Sequence, residues 1–369
     1  HRRKPGGRAG AWEVGEIIRM IEIIDLSIEL GRFALHHVDL SIRDGEYLVL
    51  LGPTGSGKTV LVECIAGIHR KHGGRILVDG RDVTGLYPEE RHIGYVPQDY
   101  ALFPNLTVRE NVAYGLRARR LPEVEIVARV NSMLKMLGLS QLAERSPTTL
   151  SGGEKQRTAL GRALVTNPRI LLLDEPLSAI DEVMRSELAT ELSRIQRAVN
   201  GTFLHVCHSF DEATEVADRV AILREGSIAQ VGTIEELLEK PASLFVARFT
   251  GARNLFSGVA EERSGGSVVT LADGVRLACG VRSAGPGVAA IRPEKILLAN
   301  GLALGSAENV LEGRVTGVKR KMAHVEVVVD AGIDLVVYLP RAGERETPEA
   351  GCSVTLRIPP EAIRLLPSE

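Results

Sequence analysis

From residue 21 to about 247 the chain alternates between two textures. Nearly continuous apolar runs at 47–51, 170–173 and 203–207, with a fourth run at 219–223, predict strands. Their continuity, in place of an apolar–polar alternation, predicts parallel strands covered on both faces. Between them, segments 58–66, 122–137, 153–166, 182–199 and 211–217 repeat apolar positions at helical spacing. Such alternation predicts an α/β fold around a parallel core sheet. Segments 21–25, 38–42 and 75–78 predict a smaller antiparallel portion at one side.

Past Gly251 the helical period fades, and Gly and Val become frequent. Short runs at 268–271, 288–291, 313–318, 324–329, 335–339 and 353–358 lie between Gly, Pro and Asp turns. They predict a small all-β domain, read as a barrel. The boundary falls near 249–255, giving an expected α/β domain over 20–250 and a β-rich domain over 253–369.

Composition narrows the function classes. A net charge of −2 argues against a general polyanion binder, and 4% aromatic residues leave little for base stacking. Nucleic acid is therefore not an expected partner. The apolar runs are strand-sized, well short of the roughly 20 residues that span a bilayer. Cys64, Cys207, Cys279 and Cys352 are widely spaced, which fits neither a zinc site nor a disulfide framework and suits a reducing compartment. Cys207, beside His208, reads as a small core residue rather than a ligand or nucleophile. Residues 1–19 carry Arg2, Arg3, Lys4, Arg8 and Arg19 among Gly and Pro, with no apolar signal core behind them. Regular patterning starts at Met20, the expected native start, with 1–19 a disordered or non-native leader.

The chemistry sits at strand ends. Gly52-Pro53-Thr54-Gly55-Ser56-Gly57-Lys58-Thr59 follows an apolar run and opens a helical pattern, continued by Val60. Glycines allow close backbone approach to a phosphate, and amide N–H groups at a helix start favour anions. Lys58 can reach the β- and γ-phosphates of ATP, and Thr59 can offer its hydroxyl oxygen to Mg²⁺. A second apolar run ends in Asp174 and Glu175. At the C-terminal edge of a parallel strand, Asp174 would hold Mg²⁺ and Glu175 would polarise an attacking water. Together the two motifs predict Mg-ATP binding and hydrolysis.

Ser151, Gly152 and Gly153 open another helical stretch. Two readings stand side by side. One is a second anion-ready terminus serving the γ-phosphate of an ATP held by another copy. The other is a plain Ser N-cap with Glu154 as its capping-box partner.

The combination resembles the ATPases of ABC transporters, over about 20–250. The phosphate loop is similar to their Walker A motif, and Gln98 in Val-Pro-Gln to the Q-loop. The Leu150–Glu154 stretch is similar to their signature, and Asp174 with Glu175 to Walker B and its catalytic glutamate. Asp181 resembles the D-loop aspartate, and His208 the switch histidine. The resemblance implies a phosphate-loop NTPase fold with a helical subdomain at about 99–165. It implies that Gln98 touches Mg²⁺ or water, that His208 bonds the γ-phosphate and Glu175, and that Asp181 links the sites of an ATP-sandwich homodimer. His208 taken alone fits a structural role equally well. Residues 99–106 would line the groove for a transmembrane permease. Phe33 is the nearest candidate for stacking on adenine.

The tail, with Ala290-Ile291-Arg292-Pro293-Glu294 and 306–315, resembles the TOBE/Mop-type regulatory domains of importer ATPases, which are OB-like barrels. The ATPase part is similar to the molybdate/tungstate importer ATPases. This implies a peripheral subunit at the cytoplasmic membrane face, with an extracytoplasmic solute-binding protein as an indirect partner. Iron, sulfate or polyamine import is the alternative. A soluble ABC ATPase acting on DNA or ribosomes, or a regulator without turnover, fits less well. Where Mop-type strands end in an oxyanion-binding Lys-Ala-Ser or Lys-Ala-Thr, this chain has Ile358-Pro359-Pro360-Glu361, in which two prolines remove N–H donors and Glu361 adds a negative charge.

Overall fold

The computed structural model describes residues 19–31, 33–70, 72–178, 182–299, 309–341 and 347–368. Asp181 and the residues before Arg19 therefore lie outside the described residues, as does the start of the 306–315 segment. The chain forms two compact units, residues 1–218 with 223–228, and 219–222 with 229–369.

In the first unit, β1 (Arg19–Leu30) and β2 (Phe33–Arg43) pair antiparallel, and β1 also pairs with β4 (Gly73–Val78), which carries the short β5 (Arg81–Asp82). These strands are far longer than the runs at 21–25 and 38–42 suggest. Register shifts break their alternation, and Asp25 and His37 take left-handed backbone there, at φ 52 and φ 47. Such irregularities hide a long strand from a period-two pattern.

The core is parallel. β3 (Tyr47–Leu51), β8 (Thr202–Val206), β7 (Ile170–Asp174) and β6 (Ile93–Val96) lie side by side in that order. Every residue of β3, β7 and β8 is buried, which accounts for the continuous apolar runs. Helix α1 (Lys58–Ala66) follows β3, and the four-residue α2 (Pro88–Arg91) precedes β6. Arg91 is buried, and its guanidinium donates to the Cys64, Ile65, Leu86 and Thr84 carbonyls, closing the end of α1 against α2.

Between β6 and β7 stand α3 (Val108–Ala118), α4 (Glu123–Met136) and α5 (Gly152–Leu164). The chain then passes through α6 (Glu182–Val199) before β8 and α7 (Phe210–Val216) after it. β9 (Arg219–Arg224) and β10 (Ser227–Gly232) have residues in both units.

The second unit holds α8 (Ile234–Glu239) and α9 (Leu244–Phe249), followed, among the described residues, by strands and short turns. One antiparallel sheet combines β11 (Asn254–Arg263), β12 (Gly266–Leu271), β13 (Arg276–Cys279), β14 (Gly285–Ile291) and the C-terminal strand. The other combines β15 (Leu297–Ala299), β16 (Val310–Arg320), β17 (His324–Asp330), β18 (Asp334–Pro340) and β19 (Ser353–Arg357). A single apolar core that includes Leu277, Ile291, Val327, Leu335 and Leu356 joins them into a nearly closed barrel. The 353–358 run is not the last strand. Pro359 and Pro360 remove two ladder donors and end β19, and β20 (Ile363–Leu366) then pairs with β14 in the other sheet.

Candidate functional site

The loop from β3 to α1 builds the first wall of the site. Gly55 and Gly57 take φ 82 and φ 102, and Gly57 is the N-cap of α1. At Gly57 a side chain is barred twice, by the left-handed backbone and by Leu35 Cδ2 at 2.8 Å from an added Cβ. At Gly52 an added Cβ would stand 2.3 Å from the Leu223 carbonyl oxygen. Lys58 is buried and folds back over the loop, donating to the Gly52 and Pro53 carbonyl oxygens at 2.9 and 3.0 Å. Burial lowers its pKa, while Glu175 and Asp174 pull it back up. Ser56 Oγ is buried and makes no hydrogen bond within the chain.

The second wall is the end of β7. Thr59 Oγ1 donates to Asp174 Oδ1 at 3.3 Å, so a hydroxyl and a carboxylate meet beside the loop. Burial, opposed by the Thr59 bond, pushes the Asp174 carboxyl up to about 6. A buried carboxyl held this way is short of positive charge, which suits it to a cation.

Glu175 follows with φ 49, in the left-handed region that a non-glycine residue seldom enters. Its amide donates to the Val206 carbonyl at 3.0 Å, which fixes this turn of chain to the neighbouring strand. Its carboxylate receives Gln98 Nε2 at Oε2, at 2.9 Å, and meets His208 Nε2 at Oε1. Three residues from three separate loops thus converge.

Leu30, Phe33, Thr54, Gly55, Lys58, Thr59 and Val60 line the same cavity, of about 540 Å³, as do Gln98, Glu175 and His208. Two further residues were not foreseen from the sequence. Glu63 and His69 also line it, and His69 Nε2 lies 2.8 Å from Glu63 Oε2. Glu63 stands one helical turn beyond Thr59, a spacing that could have revealed it.

Ser151, Gly152 and Gly153 are not among the residues lining this cavity. The Ser151 hydroxyl caps α5, accepting from the Glu154 amide, while Glu154 Oε2 accepts from the Ser151 amide at 2.7 Å. The capping-box arrangement is thus present within one chain, and the bonds lower the Glu154 pKa. Ser209, next to His208, caps α7 by accepting from the Glu212 amide.

Residues 99–106 form a turn next to α3. Asn111, fully buried in the first turns of α3, bonds the Phe103 amide and the Phe103, Leu106 and Thr107 carbonyls. The Phe103 ring packs against the exposed Tyr114, centroids 4.4 Å apart.

A parallel sheet with a glycine-rich loop, a buried lysine, and acidic groups at the end of another strand of the same sheet defines a phosphate-loop nucleotide-binding protein. Comparison with known proteins sharpens this. Residues 35–178 match the ABC transporter family model, and 289–366 match the TOBE domain. The molybdate/tungstate import ATP-binding protein WtpC of Pyrococcus horikoshii is 40% identical over 88% of this chain and 92% of that protein. The spermidine/putrescine import ATP-binding protein PotA of Aggregatibacter actinomycetemcomitans is 47% identical, over 63% of this chain and 62% of its own length. A solved dimeric ATP-binding cassette bound to ADP and Pi superposes with a TM-score of 0.53 at 29% identity, covering 58% of this chain and 98% of that one. The chain belongs to the ATP-binding proteins of ABC transporters, with a TOBE domain at its C-terminal end, and resembles the molybdate/tungstate import members over most of its length.

Proposed function

We propose that this chain is the ATP-hydrolysing subunit of an importer that takes up molybdate or tungstate through a separate membrane permease. The observation that carries the hydrolytic part is the convergence of Gln98 and His208 on Glu175, in the cavity that also holds Lys58 and Thr59. An ionised carboxylate offers about four lone-pair positions. Glu175 can therefore keep both partners and still accept a hydrogen bond from a water aimed at the γ-phosphate. Lys58 would exchange its two loop carbonyls for phosphate oxygens, and Phe33 would stack on the adenine.

Thr59, Asp174 and Gln98 are the residues that would hold Mg²⁺, and the raised Asp174 carboxyl beside a hydroxyl fits such an ion. Bound there, the ion supplies positive charge to the phosphates during transfer.

Two copies would form the working unit, with Ser151, Gly152, Gly153 and Asp181 completing the partner's site. The solved cassettes of this fold that are dimeric support that reading. No helix among the described residues is long and apolar enough to cross a membrane. The similarity to import ATP-binding proteins supports a peripheral position at the cytoplasmic face, and residues 99–106 are assigned to docking on the permease. The ATPase domain is taken as 20–250 and the regulatory domain as 253–369. Molybdate or tungstate is favoured over polyamines because the similarity to WtpC covers 88% of the chain and so reaches into the tail, whereas that to PotA covers 63%.

Replacing Glu175 with Gln tests the reading. The variant should lose ATP turnover while accumulating an ATP-bound dimer in light scattering. Near-normal turnover would refute the role given to Glu175. In vesicles carrying the permease, molybdate-loaded binding protein should stimulate ATPase activity; stimulation by a polyamine system instead would overturn the cargo.

A further inference from the structure

Below the nucleotide loop lies a group of ligand-type side chains that the ATP site does not use. His205 and Cys207 stand two residues apart, so they point to one face of the sheet. Glu212 reaches them from the first turn of α7. The His205 nitrogen, the Cys207 sulfur and a Glu212 oxygen all lie within 4.8 Å of one another. All three residues are buried, His205 at 0%, Cys207 at 2% and Glu212 at 8% exposure. Cys207 is thus a buried residue, as its sequence context suggests, but its neighbours are not only apolar.

Two atoms there make no hydrogen bond. His205 Nε2 and Glu212 Oε1 are 3.0 Å apart, within ion-pair distance if the ring carries a second proton. On the other side of the ring, His205 Nδ1 lies 3.0 Å from the Tyr47 hydroxyl. With its proton on Nδ1 and donated to Tyr47, the imidazole turns the Nε2 lone pair toward Cys207 and Glu212. A second hydrogen bond of this kind orients histidines that bind metals.

We propose that His205 Nε2, Cys207 Sγ and Glu212 Oε1 form a site for a divalent ion of the zinc class. Mixed sulfur, nitrogen and oxygen donors suit such an ion and do not suit Mg²⁺. Charge supports the assignment. On binding, the Cys207 thiol releases its proton to solvent, and the thiolate and the Glu212 carboxylate then balance the two charges of the ion. A neutral cluster is what a buried position tolerates. Bond lengths of about 2.0–2.3 Å require the three donors to draw together by roughly an ångström at most, within reach of side-chain rotation. The ion would tie β8 to α7 across the short segment that carries His208, and so restrain the switch histidine from beneath.

The test uses the purified full-length chain, stripped of metal and titrated with Co²⁺ and then Zn²⁺. A thiolate-to-cobalt charge-transfer absorption should appear and saturate at about one ion per chain, as expected for a three-ligand site. Cys207→Ser and Glu212→Gln should abolish the band or weaken binding at least about tenfold. Absence of the band in the wild type, or an equal band in Cys207→Ser, would overturn the site. Should the variants fold poorly, X-ray absorption of the zinc-loaded wild type decides. One sulfur with nitrogen and oxygen neighbours supports the site, and no sulfur or several sulfurs refutes it.

Discussion

Replacement of Asn111 tests how the turn at 99–106 is held. The side-chain oxygen accepts from the Phe103 amide at 2.9 Å, and Nδ2 donates toward the Phe103, Leu106 and Thr107 carbonyls at 3.0–3.1 Å. An amide nitrogen has only two hydrogens, so these three carbonyls share them. Asn111→Ala therefore removes one accepted bond and two donated ones from a side chain that is 0% exposed. Each buried group left without a partner costs about 1–3 kcal/mol. Water can reach part of this turn, so a loss near the lower end for each, about 3 kcal/mol in all, is expected. Asn111→Asp has the same shape but should be no better than Ala. It keeps the acceptor for Phe103 and aims a carboxylate at three carbonyl oxygens, a loss of about 3–5 kcal/mol if the charge stays unpaired. Urea denaturation gives the free energy, and amide exchange at 103–107 shows whether the loss is local. An Ala variant within about 0.5 kcal/mol of the wild type, the level of an ordinary surface change, would refute the reasoning. An Asp variant as stable as Asn would refute it equally.

Three other outcomes are expected. Lys58→Ala should weaken ATP binding about ten- to a hundredfold, the value of a charge-assisted contact of about 1.5–3 kcal/mol, measured by fluorescent nucleotide titration. Unchanged affinity would remove Lys58 from the phosphate site. Phe33→Ala should weaken ATP binding about two- to tenfold, matching an aromatic contact of about 0.5–1.5 kcal/mol, without altering an inorganic triphosphate competitor. Calorimetry of the full chain with molybdate should show no micromolar binding, because Pro359 and Pro360 offer no amide donors where an oxyanion would need them. A micromolar site lost on barrel substitution would reverse that view.

What was legible in the sequence was whatever leaves a mark on one short segment. The runs that became β3, β7 and β8 are buried on both faces, so their apolar character is unbroken. The phosphate loop is equally visible, because its glycines answer a local backbone demand. Helix α3 went unread, although Thr107 and Glu110 spell a capping box at its start, with the Thr107 amide donating to Glu110 at 2.8 Å. Strand β11 was missed for a different reason. Most of its residues are only partly buried or exposed, and it ends in Glu261-Glu262-Arg263, so little alternation survives. The meeting of Gln98 with Glu175 joins loops far apart in the chain, which no local pattern records. His205, Cys207 and Glu212 lie close in sequence, but their convergence depends on how the chain turns from β8 into α7. Arg91 belongs here too, since its four carbonyl partners come from two separate segments.

The cap at the start of α5 has a consequence for timing. Ser151 Oγ is occupied as an acceptor, from the Glu154 amide. A hydroxyl also owns a hydrogen of its own, and nothing in that cap consumes it. If a phosphate arrives from a facing copy, Ser151 can give it this hydrogen without surrendering the helix. Joining and parting of the two copies would then leave α5 wound throughout. Each cycle would meet a surface already in its final shape, with only a hydroxyl to rotate.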